Sequence, residues 1–159
     1  MKRHVMVVVL ALVLLWATWA IAANSVTQTL KCFGSGDLCR LTMSWTASSV
    51  DGNLTAVSVS STHLATLEGK MLFLLRTDPG STAPTDNYDI TLTDARGDIL
   101  GGMGANRDNS TTESVVPKID GTNTLWGTEP WTTSLSFDVT GNSVNSATGV
   151  AEFWFVRIS

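Results

Sequence analysis

Five aspartates, Asp78, Asp86, Asp89, Asp94 and Asp98, fall between residues 78 and 98, and acidic side chains crowded on loops are what a calcium ion needs. Calcium takes roughly six to eight oxygen ligands from carboxylates and carbonyls. The spacing here matches no regular calcium loop. Asp78 stands before Pro79-Gly80 and Asp86 before Asn87, where a short carboxylate closes a turn by accepting backbone amides. Turn chemistry explains every residue of LRTDPGSTAPTDNYDITLTD, so neither a metal nor any other cofactor is expected. Beyond the first 22 residues the chain has one histidine, His63 in SSTHLAT, and no serine in a Gly-x-Ser-x-Gly elbow, so Ser-His-Asp chemistry has no visible frame. Gly102-x-Gly104 invites a phosphate-loop reading, but Arg107 stands where a third glycine belongs and no helix follows to supply a positive N-terminus. It reads as a crossing between strands. Arg96-Gly97-Asp98 is an adhesion tripeptide in other settings and equally the sequence of a hairpin turn. The chain is therefore expected not to be an enzyme.

Two binding residues stand out. Trp126 and Trp131, in TLWGTEPWTT, flank Gly127 and Pro130 and so belong to a loop. A loop tryptophan either folds back as a cap or offers a flat apolar face to a sugar ring or a protein partner. In the sugar reading, Asn123 and Glu129 would fix hydroxyls. Cys32 and Cys39, in KCFGSGDLCR, are the only cysteines. Gly34-Ser35-Gly36-Asp37 between them suits a tight turn, so the two face each other across a hairpin and form one disulfide. A redox pair would need Cys-x-x-Cys.

The elements that must position these residues are strands. Leu41, Met43 and Trp45 alternate with Arg40, Thr42 and Ser44, and Tyr88, Ile90 and Leu92 with Asp89, Thr91 and Thr93. Leu135, Phe137 and Val139 alternate again. Period two with one apolar side means a half-buried strand. Val57 and Val59 give a weaker strand. KMLFLL, residues 70–75, is apolar on both sides and is expected to be a central strand covered on both faces. DARGD makes a turn with Ile99-Leu100 opening the partner strand, and residues 150–158 close the chain as a strand bearing large side chains on both faces. No apolar stripe at helical spacing is found outside the first residues. The expected fold is all-β: an antiparallel sandwich or small barrel of about seven to nine short strands.

The chain has 159 residues, enough for one domain, expected over residues 23–159. Residues 1–22 join a basic start, Lys2 and Arg3, to an uncharged apolar run ending in Ala20-Ile21-Ala22. That is the layout of a secretory signal peptide cut after Ala22, with a retained membrane anchor as the alternative. Without Lys2 and Arg3, eight of the ten Lys and Arg face fourteen Asp and Glu, a net charge near −6. Such a surface does not seek phosphate backbones, and nucleic acid is not an expected partner. An exported chain, periplasmic or extracellular, also fits the cysteine pair.

The segment LRTDPGSTAPTDNYDITLTDARGDILGGMGANRD resembles one found in small uncharacterised structural proteins of tailed bacteriophages. The matching positions are 77–80 (TDPG, with Asp78, Pro79 and Gly80), 83–89 (APTDNYD, with Pro84, Asp86, Asn87, Tyr88 and Asp89) and 104–108 (GANRD, with Asn106, Arg107 and Asp108), followed by Thr112-Glu113. The resemblance spans most of residues 23–159. It implies a virion component made in many copies to decorate, join or extend a capsid or tail, whose partners are other protein chains, itself included. It implies no catalytic residue. The leader and the cysteine pair depart from that pattern; a retained leader would make the chain membrane-anchored or virion-associated. The other reading of the same domain is an exported carbohydrate-binding module built on Trp126 and Trp131.

Overall fold

The computed structural model describes residues 24–118 and 134–157. The leader expected over residues 1–22, and Asn123, Trp126, Glu129 and Trp131, lie outside the described residues. Among the described residues no helix is long and apolar enough to cross a membrane.

Among the described residues the chain forms nine strands in two antiparallel sheets. The larger sheet runs in the order β1 (Ser25–Phe33), β2 (Leu38–Thr46), β9 (Thr148–Arg157), β4 (Lys70–Pro79) and β7 (Glu113–Val115). The smaller runs β3 (Val57–Ser58), β8 (Ser136–Thr140), β5 (Asp89–Asp94) and β6 (Gly97–Asp98). Successive side chains of a strand point to opposite faces, so Cys39, Leu41, Met43 and Trp45 of β2 are buried while their neighbours reach the surface. In β9 the inward set is Gly149, Ala151, Phe153 and Phe155. Ile90 and Leu92 of β5 and Phe137 and Val139 of β8 supply the opposing layer. Phe137 meets Phe153 edge to face across the two sheets, with ring centroids 6.0 Å apart. Each buried phenylalanine contributes on the order of 3 kcal/mol by leaving water. This is the sandwich form of the expected fold.

Gly149 shows how closely the core is filled. A Cβ there would stand 2.6 Å from Cζ2 of Trp45, so only a residue without one lets the indole lie flat on β9.

Cys32 and Cys39 are direct partners in the β1–β2 register, 4.0 Å apart at Cα, and are joined by a disulfide. Gly34 and Gly36, at φ +58° and +89°, make the turn that closes this hairpin.

Three local expectations are corrected. Residues 61–67 form a short helix, α1 (Ser61–Leu67), where no apolar stripe at helical spacing is visible in the sequence, and His63 lies in it. Two leucines, Leu64 and Leu67, are its only large apolar residues, too few to show a period, and the Ser60 hydroxyl caps it by accepting from the His63 amide at 3.3 Å. KMLFLL is interior in strand order but not covered on both faces. Lys70, Leu72, Leu75 and Thr77 are buried, whereas Met71, Phe73 and Leu74 are half-buried on the outer side. A bulge at Phe73 puts one extra residue between Leu72 and Leu74, so Leu72 and Leu75 reach the same inner face although they are three residues apart. The strand expected to open at Ile99-Leu100 is instead Gly97–Asp98, the last two residues of DARGD; Ile99 and Leu100 are buried, but in the turn that follows.

Candidate functional site

The three motif pieces, residues 77–80, 83–89 and 104–108, are joined to one another and to the strands around them. β4 lies in the larger sheet and β5 in the smaller, so the stretch between them is a crossing from sheet to sheet. Pro79 pairs with Gly149, and the Gly80 amide bonds the Thr148 carbonyl at 2.8 Å, which carries β4's ladder to its last residue. Pro84 is buried. Beside it the Asn142 side chain, only 7% exposed, accepts from the Thr85 amide at 2.9 Å and donates to the Gly52 carbonyl at 2.7 Å, pinning the crossing to two other loops.

The second and third motif pieces then zip together. The Arg107 amide donates to the Tyr88 carbonyl at 2.7 Å, and the Asn87 amide to the Arg107 carbonyl at 3.1 Å. Asn87 and Asn106 take φ of +62° and +55°, a region asparagine enters more readily than most residues. Asp89 accepts the Asn106 amide at 2.8 Å, and the Ile90 amide bonds the Gly104 carbonyl at 2.8 Å. Gly104 must be glycine on packing grounds, because a Cβ would fall 1.9 Å from the Ile90 carbonyl oxygen.

Side chains close the knot. Arg107, 9% exposed, donates to the Ala105 carbonyl through Nε and Nη2 at 3.1 and 2.9 Å and pairs with Glu113 at 3.4 Å. Glu113 also accepts the Asp108 amide at 2.9 Å, and its strand partner is Thr77 at the head of the first piece. The Ser110 hydroxyl donates to Asp108 Oδ1 at 2.8 Å, and the amides of Ser110 and Thr111 each at 2.7 Å; the hydroxyl first and then the amides hold the Asp108 pKa below the usual carboxylate value. Asp78 accepts from the Thr112 hydroxyl at 2.9 Å. Tyr88 is completely buried, and its phenol pKa is pushed up to about 12 by desolvation first, with Glu113 and Asp78 adding to the rise and Arg107 opposing it.

The remaining aspartates do turn work too. Asp86 accepts the Asn87 amide at 3.1 Å, and Asp98 accepts those of Leu100 and Gly102 at 3.1 and 2.9 Å. Asp94 takes the Arg96 amide at 2.7 Å and its guanidinium at 3.0 and 2.7 Å, so Arg96-Gly97-Asp98 is tied into its own hairpin. Among the described residues no three His, Cys, Asp or Glu side chains stand close enough to share a metal ion.

A second constellation escaped sequence reasoning. On the outer face of the larger sheet Phe33 and Trp154 stack with centroids 5.8 Å apart and planes 9° from parallel. The Arg40 guanidinium lies 5.4 Å over the Trp154 ring and pairs with Glu152 at 3.0 Å, and the Lys31 ammonium lies 5.2 Å over Phe33. By register, Leu38, Val156, Met71 and Leu74 share this face, all half-buried. The signal was present in the large residues on both faces of residues 150–158, but which strands flank them depends on tertiary pairing.

No protein-family model, curated protein or solved structure matches this chain.

Proposed function

We propose that the chain is a non-enzymatic structural protein of the tailed-phage virion kind, a shaped β-sandwich that works through contacts with other protein chains. The observation that carries this reading is the destination of the motif's polar groups. Asp78, Asp86, Asp89, Asp108, Arg107 and Glu113 turn onto backbone amides, carbonyls, a neighbouring hydroxyl and one another, so the motif serves to hold a sheet-to-sheet crossing in one shape. Shape is what a repeated assembly component must supply. The aromatic and cationic outer face gives such a component a contact surface, since aromatic residues and arginine are the side chains enriched at protein interfaces.

Quantitative mass spectrometry of particles purified from the organism that encodes the chain tests the reading. Many copies per particle are expected; particles free of its peptides refute it. Export belongs to the same proposal, and N-terminal sequencing of the protein recovered from that organism should begin at Ala23. The carbohydrate-binding alternative rests on Trp126 and Trp131. A glycan array on which the wild type binds and the Trp126→Ala, Trp131→Ala protein does not would favour it instead.

A further inference from the structure

Among the described residues the two sheets have four edges, and three are very short. β7 has three residues, and β3 and β6 have two each. The fourth, β1, runs nine residues without a proline, and its nine-residue register with β2 is unbroken. Natural sheets blunt exposed edges with short strands, prolines, bulges or charges, because an unpaired ladder recruits another strand. β1 carries none of these devices except the single charge of Lys31.

The direction of its free ladder follows from the register. The Ala47 amide bonds the Ala147 carbonyl at 2.8 Å, so the odd-numbered residues of β2 turn their backbone groups to β9 and the even-numbered ones to β1. Residues 25, 27, 29, 31 and 33 of β1 therefore bond β2, and Val26, Gln28, Leu30 and Cys32 turn their amides and carbonyls outward. The 4.0 Å Cα spacing of Cys32 and Cys39 agrees, being that of a pair without mutual hydrogen bonds. Among the described residues no strand lies along this edge.

We propose that β1 is a self-association strand, pairing antiparallel with β1 of a second copy about a twofold axis through Thr29. The proposal deepens the structural reading above by naming the partner, and it rests on that reading for its biological setting. Only this centre uses all four outward residues within the strand, pairing 26 with 32 and 28 with 30 in both directions, for about eight hydrogen bonds. On the outer face it sets Thr29 opposite Thr29, Thr27 opposite Lys31 and Ser25 opposite Phe33. The charges thus avoid each other, whereas a twofold centred on Lys31 would oppose the two ammonium groups. β1 holds no carboxylate in a chain where acidic residues outnumber basic ones, so it is where two acidic copies can approach with least repulsion. The small exposed side chains of Ser25, Thr27 and Thr29 leave room for backbone contact. The two larger sheets become one continuous sheet.

Sedimentation equilibrium of the protein produced from its full coding sequence tests this. A reversible dimer is expected. Thr29→Lys sets two lysines face to face and should raise Kd about fivefold; Thr27→Glu sets a carboxylate opposite Lys31 twice and should lower it about fivefold. Both positions are exposed, so neither exchange removes core packing. A strict monomer up to ~1 mM, or a dimer indifferent to both exchanges, overturns the proposal. If either variant misfolds, amide exchange on the wild type decides. Slowing at Val26, Gln28, Leu30 and Cys32 with rising concentration supports β1 pairing, and unchanged rates at concentrations where the dimer forms refute it. A monomer that is still found in particles sinks the edge and spares the virion reading; a dimer absent from particles does the reverse.

Discussion

Tyr88 is the chain's only tyrosine, so its ionisation can be followed by absorbance without a competing phenol. It is neutral when protonated, completely buried, and burial pushes its pKa up from the ordinary 10.0 to about 12 in the folded chain. A folded pKa above the unfolded one means that the protonated phenol's share of stability is fully present below pH 10.0 and is lost as pH rises towards about 12. At about 1.4 kcal/mol per pKa unit, a rise of two units amounts to about 2.7 kcal/mol. Two measurements check this. Absorbance near 295 nm should give a tyrosinate midpoint near 12 in the native protein and near 10 in concentrated guanidinium. Urea unfolding midpoints across the same range should fall in the wild type and fall less in Tyr88→Phe, the difference isolating Tyr88 from the chain's lysines. A native midpoint at the unfolded value, reached while near-ultraviolet circular dichroism still reports the fold, would show the phenol in water. The motif knot as described would then be wrong.

The other predictions concern the same architecture. Gly104→Ala drives a methyl into the Ile90 carbonyl, so the GANRD piece must move and give up its bond to β5; a loss of about 3 kcal/mol or more in urea unfolding is expected. Glu113→Ala strips the buried Arg107 of its ion pair and the Asp108 amide of its acceptor, which should cost about 1–3 kcal/mol, measured the same way. Replacing Cys32 and Cys39 together by serine opens a loop of sequence separation 7, and thermal unfolding should report a loss of about 2.5 kcal/mol with the fold retained.

Much of the candidate site could be read from residues alone because turn chemistry is local. Asp86 before Asn87 and Asp98 before Ile99-Leu100 bond amides within four residues, so sequence neighbours suffice to identify the task. Gly104 and Arg107 could be flagged as motif positions, but not explained. What makes them necessary is the Ile90 carbonyl and the Glu113 carboxylate, brought in from β5 and β7.

The same division runs through the whole molecule. Alternation at period two settled, from sequence alone, that Leu41, Met43, Trp45, Ile90, Leu92, Phe137 and Val139 face a common interior, because a strand's geometry assigns each side chain a face whatever its partner. Cys32 and Cys39 followed from a turn too short to leave them apart. The order β1-β2-β9-β4-β7 was settled only by tertiary packing, since β2 and β9 meet across about a hundred residues and no local pattern encodes which of several apolar strands will be neighbours. From that order come the Trp154 cluster, the Tyr88 knot and, among the described residues, the one long edge left open at β1.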